Sequence, residues 1–173
     1  MLRGPNLWSR HTALEAIVSC DESERSIDSI PQFEIKIRER FPQLGSMRRG
    51  GHNEALSLAH ALEHAALGLQ SQAGCPVTFS RTVQTVDVGV YQVVVEYTEE
   101  VVGRMAFDFA FGLIQATLND VPFDLAAALS ELEALYEDVR LGPSTGSIVD
   151  AAVQRNIPYR RMTEGSMVQF GWG

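Results

Sequence analysis

Apolar residues recur along this chain with two spacings, and the longer spacing predicts helices. In segment 53–74 leucines and alanines recur every three or four residues, which places them on one face of an α-helix. Asn53 could cap the start of this helix, and Gly74 marks its end. Segments 99–119 and 123–141 show the same spacing, and 99–119 is so apolar that we expect most of its sides to be buried.

Shorter segments rich in β-branched and aromatic residues predict strands. Segment 12–20 alternates loosely between apolar and polar residues. Segments 75–84 and 88–98 are separated by a short loop, so they predict an antiparallel pair. Segments 157–162 and 165–173 predict two further short strands near the C-terminus.

Two more helices are predicted from their boundaries. Segment 31–42 has prolines at both ends and the length of a short helix. Segment 142–156 opens with turn residues, and Ser144 or Thr145 could cap a helix there.

Together these elements predict an α+β domain. We expect an antiparallel sheet covered by the helices at 53–74 and 100–118. The helices at 124–138 and 145–155 are expected to form a smaller helical lobe.

Composition narrows the range of partners. The chain has 173 residues, enough for one domain with a real core, and 45% of them are hydrophobic. Its formal net charge is −8, which argues against nucleic acid because phosphate binding needs clustered lysine and arginine. A cationic partner or substrate is favoured instead.

The rest of the composition predicts a cytoplasmic location. The two cysteines, Cys20 and Cys75, do not form a disulfide framework and fit a reducing compartment. The first ten residues lack the apolar stretch of a signal peptide, and no apolar run approaches the length of a membrane span. Val168, Phe170 and Trp172 place apolar side chains at the C-terminus, from which we expect more protein to follow in a parent chain.

The stretch His60-Ala-Leu-Glu63-His64 carries the clearest candidate chemistry. On a helix, residues four apart share a face, so His60 and His64 can point at one metal ion with Glu63 beside it. Imidazole nitrogen is a good zinc ligand, and H-x-x-E-H is the inverted form of the zincin helix motif. The sequence therefore predicts a metallopeptidase-like zinc site in which Glu63 is the catalytic base.

A catalytic zinc site needs a third protein ligand from elsewhere. Glu96 follows a run of valines on a predicted central strand, where a carboxylate is unfavourable unless it is paired or ligated. Glu96 is therefore the first candidate and Glu100 the second. Glu133 and Glu137 on a later helix remain open.

A simpler interpretation needs no metal. Glu63 and a protonated His60 or His64 could decorate the polar edge of an ordinary helix. Arg48 and Arg49 lie in a glycine-bearing loop, where they are either solvated or in contact with a carboxylate.

Five segments are distinctive in combination and in this order: LRGPNLWS, HALEHAALGLQSQAG, GVYQVVVEYTEEVVGRMA, LGPSTGSIVDAAVQRNIPYRRM and MVQFGWG. Together they resemble the N-terminal domain of the cyanophycin synthetase family. The resemblance covers nearly the whole chain, and it is far more specific than the five-residue motif alone.

The resemblance implies a domain of a cytoplasmic, multidomain, ATP-dependent ligase. Such enzymes build a polyaspartate backbone and attach arginine to each side-chain carboxylate, using an ATP-grasp domain and a Mur-ligase-like domain. Neither is present here, so ATP and magnesium would act only in those missing domains. The resemblance implies a domain over residues 1–160 and, over 161–173, the start of a linker to the ATP-grasp domain.

The resemblance implies that this domain holds the growing polymer and, as in some members of the family, cuts it into primers at a metallopeptidase-like site. That site maps onto His60, Glu63 and His64. One departure is Gly68, where the family helix usually carries a glutamate. We assign Arg48, Arg49 and Glu99 as candidate substrate-binding residues.

Three hypotheses follow from these observations. In the first, the domain binds cyanophycin and carries a zinc-dependent endopeptidase site. In the second, it anchors the polymer without catalysis. In the third, it is a structural domain that helps to hold the ligase together as a homo-oligomer.

Overall fold

A three-stranded antiparallel sheet forms one layer of the domain. The computed structural model describes residues 1–2, 6–7, 12–45, 47, 55–163 and 165–171. The strands β1 (Ala13–Ser19), β2 (Ser80–Gln84) and β3 (Val90–Glu96) lie in the order β1-β3-β2. Both outer strands run antiparallel to β3, as segments 75–84 and 88–98 predicted for β2.

The two faces of β3 have different neighbours. Side chains alternate between the faces of a strand, and Tyr91, Val93 and Val95 belong to the main apolar core. By the same alternation Glu96 lies on the opposite face of the sheet. The helix with the two histidines packs on the core face, so the Glu96 side chain and this helix lie on opposite faces of the sheet.

Within the described residues, five α-helices accompany the sheet: α1 (Phe33–Arg40), α2 (Leu58–Gln72), α3 (Glu100–Leu118), α4 (Leu125–Val139) and α5 (Pro143–Gln154). Single turns of 3₁₀ helix lie at Glu22–Glu24, Ile27–Ser29 and Pro42–Leu44. The N-cap of α2 is Ser57, not Asn53, which lies outside the described residues. The N-cap of α5 is Gly142, followed by Pro143 as the first helical residue, rather than Ser144 or Thr145.

Helices α2 and α3 cover the core face of the sheet. Helix α2 contacts β2 and β3, and α3 contacts α2 and β1. Helix α4 packs on α3 and α2, whereas α5 packs on the strand Tyr159–Arg161 near the C-terminus. The structure therefore differs from the predicted lobe of two helices. The apolar stripe of α4, which includes the fully buried Leu132, packs in the main core.

The C-terminal segment folds back on itself. Strands β4 (Tyr159–Arg161) and β5 (Val168–Phe170) pair antiparallel in a small separate sheet. The boundary predicted between residues 160 and 161 falls inside this hairpin, because Arg161 pairs with Val168.

Helix α3 is the one helix in the described parts of the chain that is long and apolar enough to cross a membrane. Its residues Val102, Ala106 and Leu113 are fully buried in the core. Core helices of globular domains pass the same test of length and composition, so the finding is weak evidence for a span.

Candidate functional site

His60 lies in the first turn of α2, where it contacts the cap of its own helix. The backbone N–H of Ser57 donates to Nδ1 of His60 at 3.1 Å, and Oγ of Ser57 is 2.9 Å from the same nitrogen. On its other side the ring meets Tyr91 edge-on, with the ring centroids 5.8 Å apart. His60 therefore lies between the N-cap of α2 and strand β3 and contacts both.

These contacts favour one tautomer of His60. When Nδ1 accepts the Ser57 N–H, a neutral ring carries its proton on Nε2. A metal on Nε2 requires that proton to move to Nδ1, where Oγ of Ser57 can accept it and the N–H contact is lost. Metal binding through Nε2 is thus linked to a rearrangement of the helix cap.

Glu63 and His64 lie on the next turn of the same helix. His64 follows His60 by four residues and is half-buried, while Glu63 is only 3% exposed. The structure therefore brings the three residues of the motif together on α2. Arg48 and Arg49 lie outside the described residues.

The first candidate for the third ligand, Glu96, lies at the far end of α2. Nε2 of Gln70 donates to the backbone oxygen of Glu96 at 2.9 Å, which places Glu96 beside the last turns of the helix. Along α2, Gln70 lies about 15 Å beyond His60. His60 itself contacts Tyr91, about 16 Å before Glu96 along β3. Glu96 is therefore not near His60.

Backbone amides hold the carboxylate of Glu96 in place. The N–H groups of Thr78 and Phe79 donate to it at 2.8 and 2.7 Å, and the side chain is buried. The prediction that a carboxylate at this position needs a partner is confirmed, and those amides are partners. They fix the start of β2 against the end of β3.

The other candidate carboxylates also lie apart from the histidines. Glu100 begins α3 after Glu96 and accepts from Arg104 at 2.9 Å. Glu133 and Glu137 are exposed on α4, where Glu137 pairs with Arg140 at 2.8 Å. Within the described residues, no group of three or more histidines, cysteines or carboxylates could hold a metal ion. The described residues thus do not fit a zinc site built from His60, His64 and either Glu96 or Glu100.

Gly68 continues the face of α2 that carries His60 and His64. A Cβ atom at Gly68 would lie 3.2 Å from Cε1 and 3.3 Å from Cζ of Phe41, and 3.5 Å from Cδ1 of Leu44. The ring of Phe41, which is fully buried, therefore occupies the space that a side chain at position 68 would need.

Glu99, predicted to bind substrate, forms an ion pair in a second polar cluster. Nη1 of Arg161 donates to Oε2 of Glu99 at 2.8 Å and also to the backbone oxygen of Val139. Burial raises the pKa of Glu99, and the charge of Arg161 partly opposes that shift. Burial also raises the pKa of the nearby Cys75 thiol to about 11, so this thiol is protonated at neutral pH.

Sequence reasoning did not find Arg161, Tyr136 or Tyr159 as members of this cluster. Burial is the largest cause of the raised pKa of both tyrosines, and the charge of Glu99 adds to it. The one sequence signal that pointed to this cluster was the pair Arg160 and Arg161 in the strand predicted at 157–162.

The negative charge of the chain is concentrated in one segment. Residues 99–150 contain ten carboxylates and two arginines, a net charge of −8, which equals that of the whole chain. The exposed carboxylates of α4 belong to this segment: Glu131, Glu133, Glu137 and Asp138.

These features define an acidic domain of helices and antiparallel sheet, with a three-residue polar motif on helix α2. Residues 16–119 match the family described as Cyanophycin synthase-like N-terminal domain. The chain is 35% identical to the cyanophycin synthetase of Trichormus variabilis over an alignment of 187 positions, and 35% identical to that of Synechocystis sp. over 191. Each alignment covers 99% of this chain and 21% of the relative.

The chain therefore belongs to the Cyanophycin synthase-like N-terminal domain family. It spans about a fifth of the length of the curated relatives that it matches, 21% in each case.

Proposed function

We propose that this chain is the polymer-binding N-terminal domain of a cyanophycin synthetase. Its family and its relatives support this role. The polymer would be the arginine-bearing polyaspartate, and ligation with ATP and magnesium would belong to the ATP-grasp and Mur-ligase-like domains. A cytoplasmic location and a homo-oligomeric parent enzyme stay predictions from the sequence.

The observation that carries the proposal is the concentration of carboxylates in residues 99–150. Cyanophycin presents rows of guanidinium groups, which carboxylates bind through paired, charge-assisted hydrogen bonds. Helix α4 displays four exposed carboxylates on a rigid element, so neighbouring arginines of one polymer chain can be bound at once.

Co-sedimentation of the purified domain with insoluble cyanophycin tests this role, with polyaspartate, which lacks guanidinium groups, as the control polymer. We expect the Glu131→Gln/Glu133→Gln variant to bind cyanophycin about fivefold more weakly, since exposed ion pairs contribute up to about 1 kcal/mol each. The matched control is Glu22→Gln/Glu39→Gln, which removes two exposed carboxylates outside the acidic segment. Equal weakening in both variants, or equal binding to both polymers, would contradict the proposal.

A second candidate function is zinc-dependent cleavage of cyanophycin into primers. The spacing of His60 and His64 and the burial of the neighbouring Glu63 favour it. It requires a third ligand that the described residues do not supply.

Zinc content after dialysis, measured beside polymer cleavage, distinguishes the two candidates. Stoichiometric zinc, together with release of short oligomers that is lost in Glu63→Gln, would establish the peptidase. Polymer binding without bound zinc and without cleavage would leave anchoring as the function of the domain.

A further inference from the structure

The guanidinium of Arg161 is bound by acceptor groups from other elements of the fold. Its Nη1 donates to the carboxylate of Glu99 at 2.8 Å and to the carbonyl of Val139, while its Nε donates to the carbonyl of Gly165 at 3.0 Å. Glu99 precedes α3 and Val139 ends α4, so both lie outside the hairpin that carries Arg161. We call Glu99 and the Val139 carbonyl, with Tyr136 of α4 nearby, the arginine cradle.

Several features make the arginine cradle selective for a cation. The carboxylate of Glu99 supplies a full negative charge in a site where its side chain is only 16% exposed. The carbonyl of Val139 lies at the C-terminal end of a helix, where the backbone dipole attracts positive charge. Without a cation, Glu99 would keep a desolvated charge, and its raised pKa reflects that burial.

The element that delivers Arg161 is a short hairpin. Its two strands have three residues each and pair with each other, and such an isolated hairpin is of marginal stability. The hairpin and the loop between its strands leave Met162, Met167 and Phe170 exposed, so they contribute little apolar burial. Withdrawing the hairpin breaks the contacts of Arg161 and those of β4 with α5.

We propose that the arginine cradle is a binding subsite for one arginine side chain of the polymer, and that Arg161 fills it until the polymer displaces the hairpin. The proposal rests on the proposed function, because cyanophycin supplies the competing guanidinium groups. The same atoms that now hold Arg161 would hold the guanidinium of the polymer. The hairpin then acts as an internal competitor that weakens binding.

Replacing Arg161 tests the competition. We expect Arg161→Gln to bind cyanophycin at least about fivefold more tightly than the unmodified chain, because an occupied subsite lowers the apparent affinity. It should also bind L-arginine amide in preference to L-lysine amide by calorimetry. Adding Glu99→Gln should abolish both effects. The matched control is Arg160→Gln, an exposed neighbour on the same strand, which should bind like the unmodified chain.

The unmodified chain offers a measurement that does not depend on how any variant folds. The ¹⁵N–¹H signal of Arg161 Nε, which reports its bond to Gly165, should move towards that of a solvated arginine when soluble cyanophycin saturates the domain. An unchanged signal at saturation overturns the cradle, as does a folded Arg161→Gln variant that binds cyanophycin no more tightly. Both results would leave the proposed function intact. If neither the unmodified chain nor Arg161→Gln binds cyanophycin, the proposed function fails, and the cradle fails with it.

Discussion

The carboxylate of Glu96 is buried, and its surroundings give it a structural role. It accepts hydrogen bonds from the backbone N–H groups of Thr78 and Phe79, just before β2 begins. Two donors from the backbone satisfy a charge that would otherwise be unfavourable in an apolar sheet. Glu96 therefore stabilises the junction of β2 and β3.

We predict that Glu96→Ala lowers the free energy of unfolding by about 2–4 kcal/mol, because it leaves buried donors unsatisfied. Glu96→Gln should lose less, since its amide oxygen still accepts. Urea denaturation with and without zinc measures both. The control is Glu100→Ala, which removes an exposed pair with Arg104 worth about 0.3–0.5 kcal/mol. A stability loss that appeared only in the presence of zinc would instead identify Glu96 as a ligand.

Helix α2 contacts different neighbours along its length. Its first turn meets Tyr91 through His60, and its later turns meet Phe41 through Gly68. Because Gly68 has no side chain, the aromatic ring approaches the helix backbone closely. The helix thus gains a packing contact at a position where glycine lowers its intrinsic helix propensity.

We predict that Gly68→Glu lowers the free energy of unfolding by about 1–3 kcal/mol, because Cβ crowds the buried ring of Phe41. Gly68→Ala should change it by less than about 1 kcal/mol, since better helix propensity offsets the tight contact.

A double-mutant cycle with Phe41→Leu provides the control, and thermal or urea unfolding is the measurement. The cost of Gly68→Glu should fall by at least about 0.5 kcal/mol once the ring is gone. Purely additive effects would show that the ring does not limit position 68.

Across the whole molecule, charge is distributed unevenly. Residues 99–150 carry a net charge of −8, while the charges of the remaining residues sum to zero. Such an asymmetry gives the domain one strongly negative region that attracts cationic polymers over several ångströms.

We predict that binding to cyanophycin weakens as the salt concentration rises. The Debye length falls from about 10 Å at 0.1 M to about 3 Å at 1 M, so the attraction between exposed charges is screened. Sedimentation assays at increasing sodium chloride measure this directly. Affinity that is constant with salt would show that the acidic segment does not drive binding.

The sequence by itself determined the elements of this protein, because their signals are local. The valines of β3 and the leucines of α2 repeat with the periods of a strand and a helix, and both elements are present. The sequence also determined the charge, the pairing of the motif residues on one helix turn, and the need of Glu96 for a partner. Each of these depends on residues a few positions apart.

Only the tertiary structure decided which partners those residues meet. Glu96 meets amides 17 and 18 residues away, and Glu99 meets an arginine 62 residues away. No period in the sequence encodes such distances, because they depend on how helices and strands pack. The separation of Glu96 from His60 has the same origin, since α2 and β3 run side by side in the same direction and the two residues lie at opposite ends.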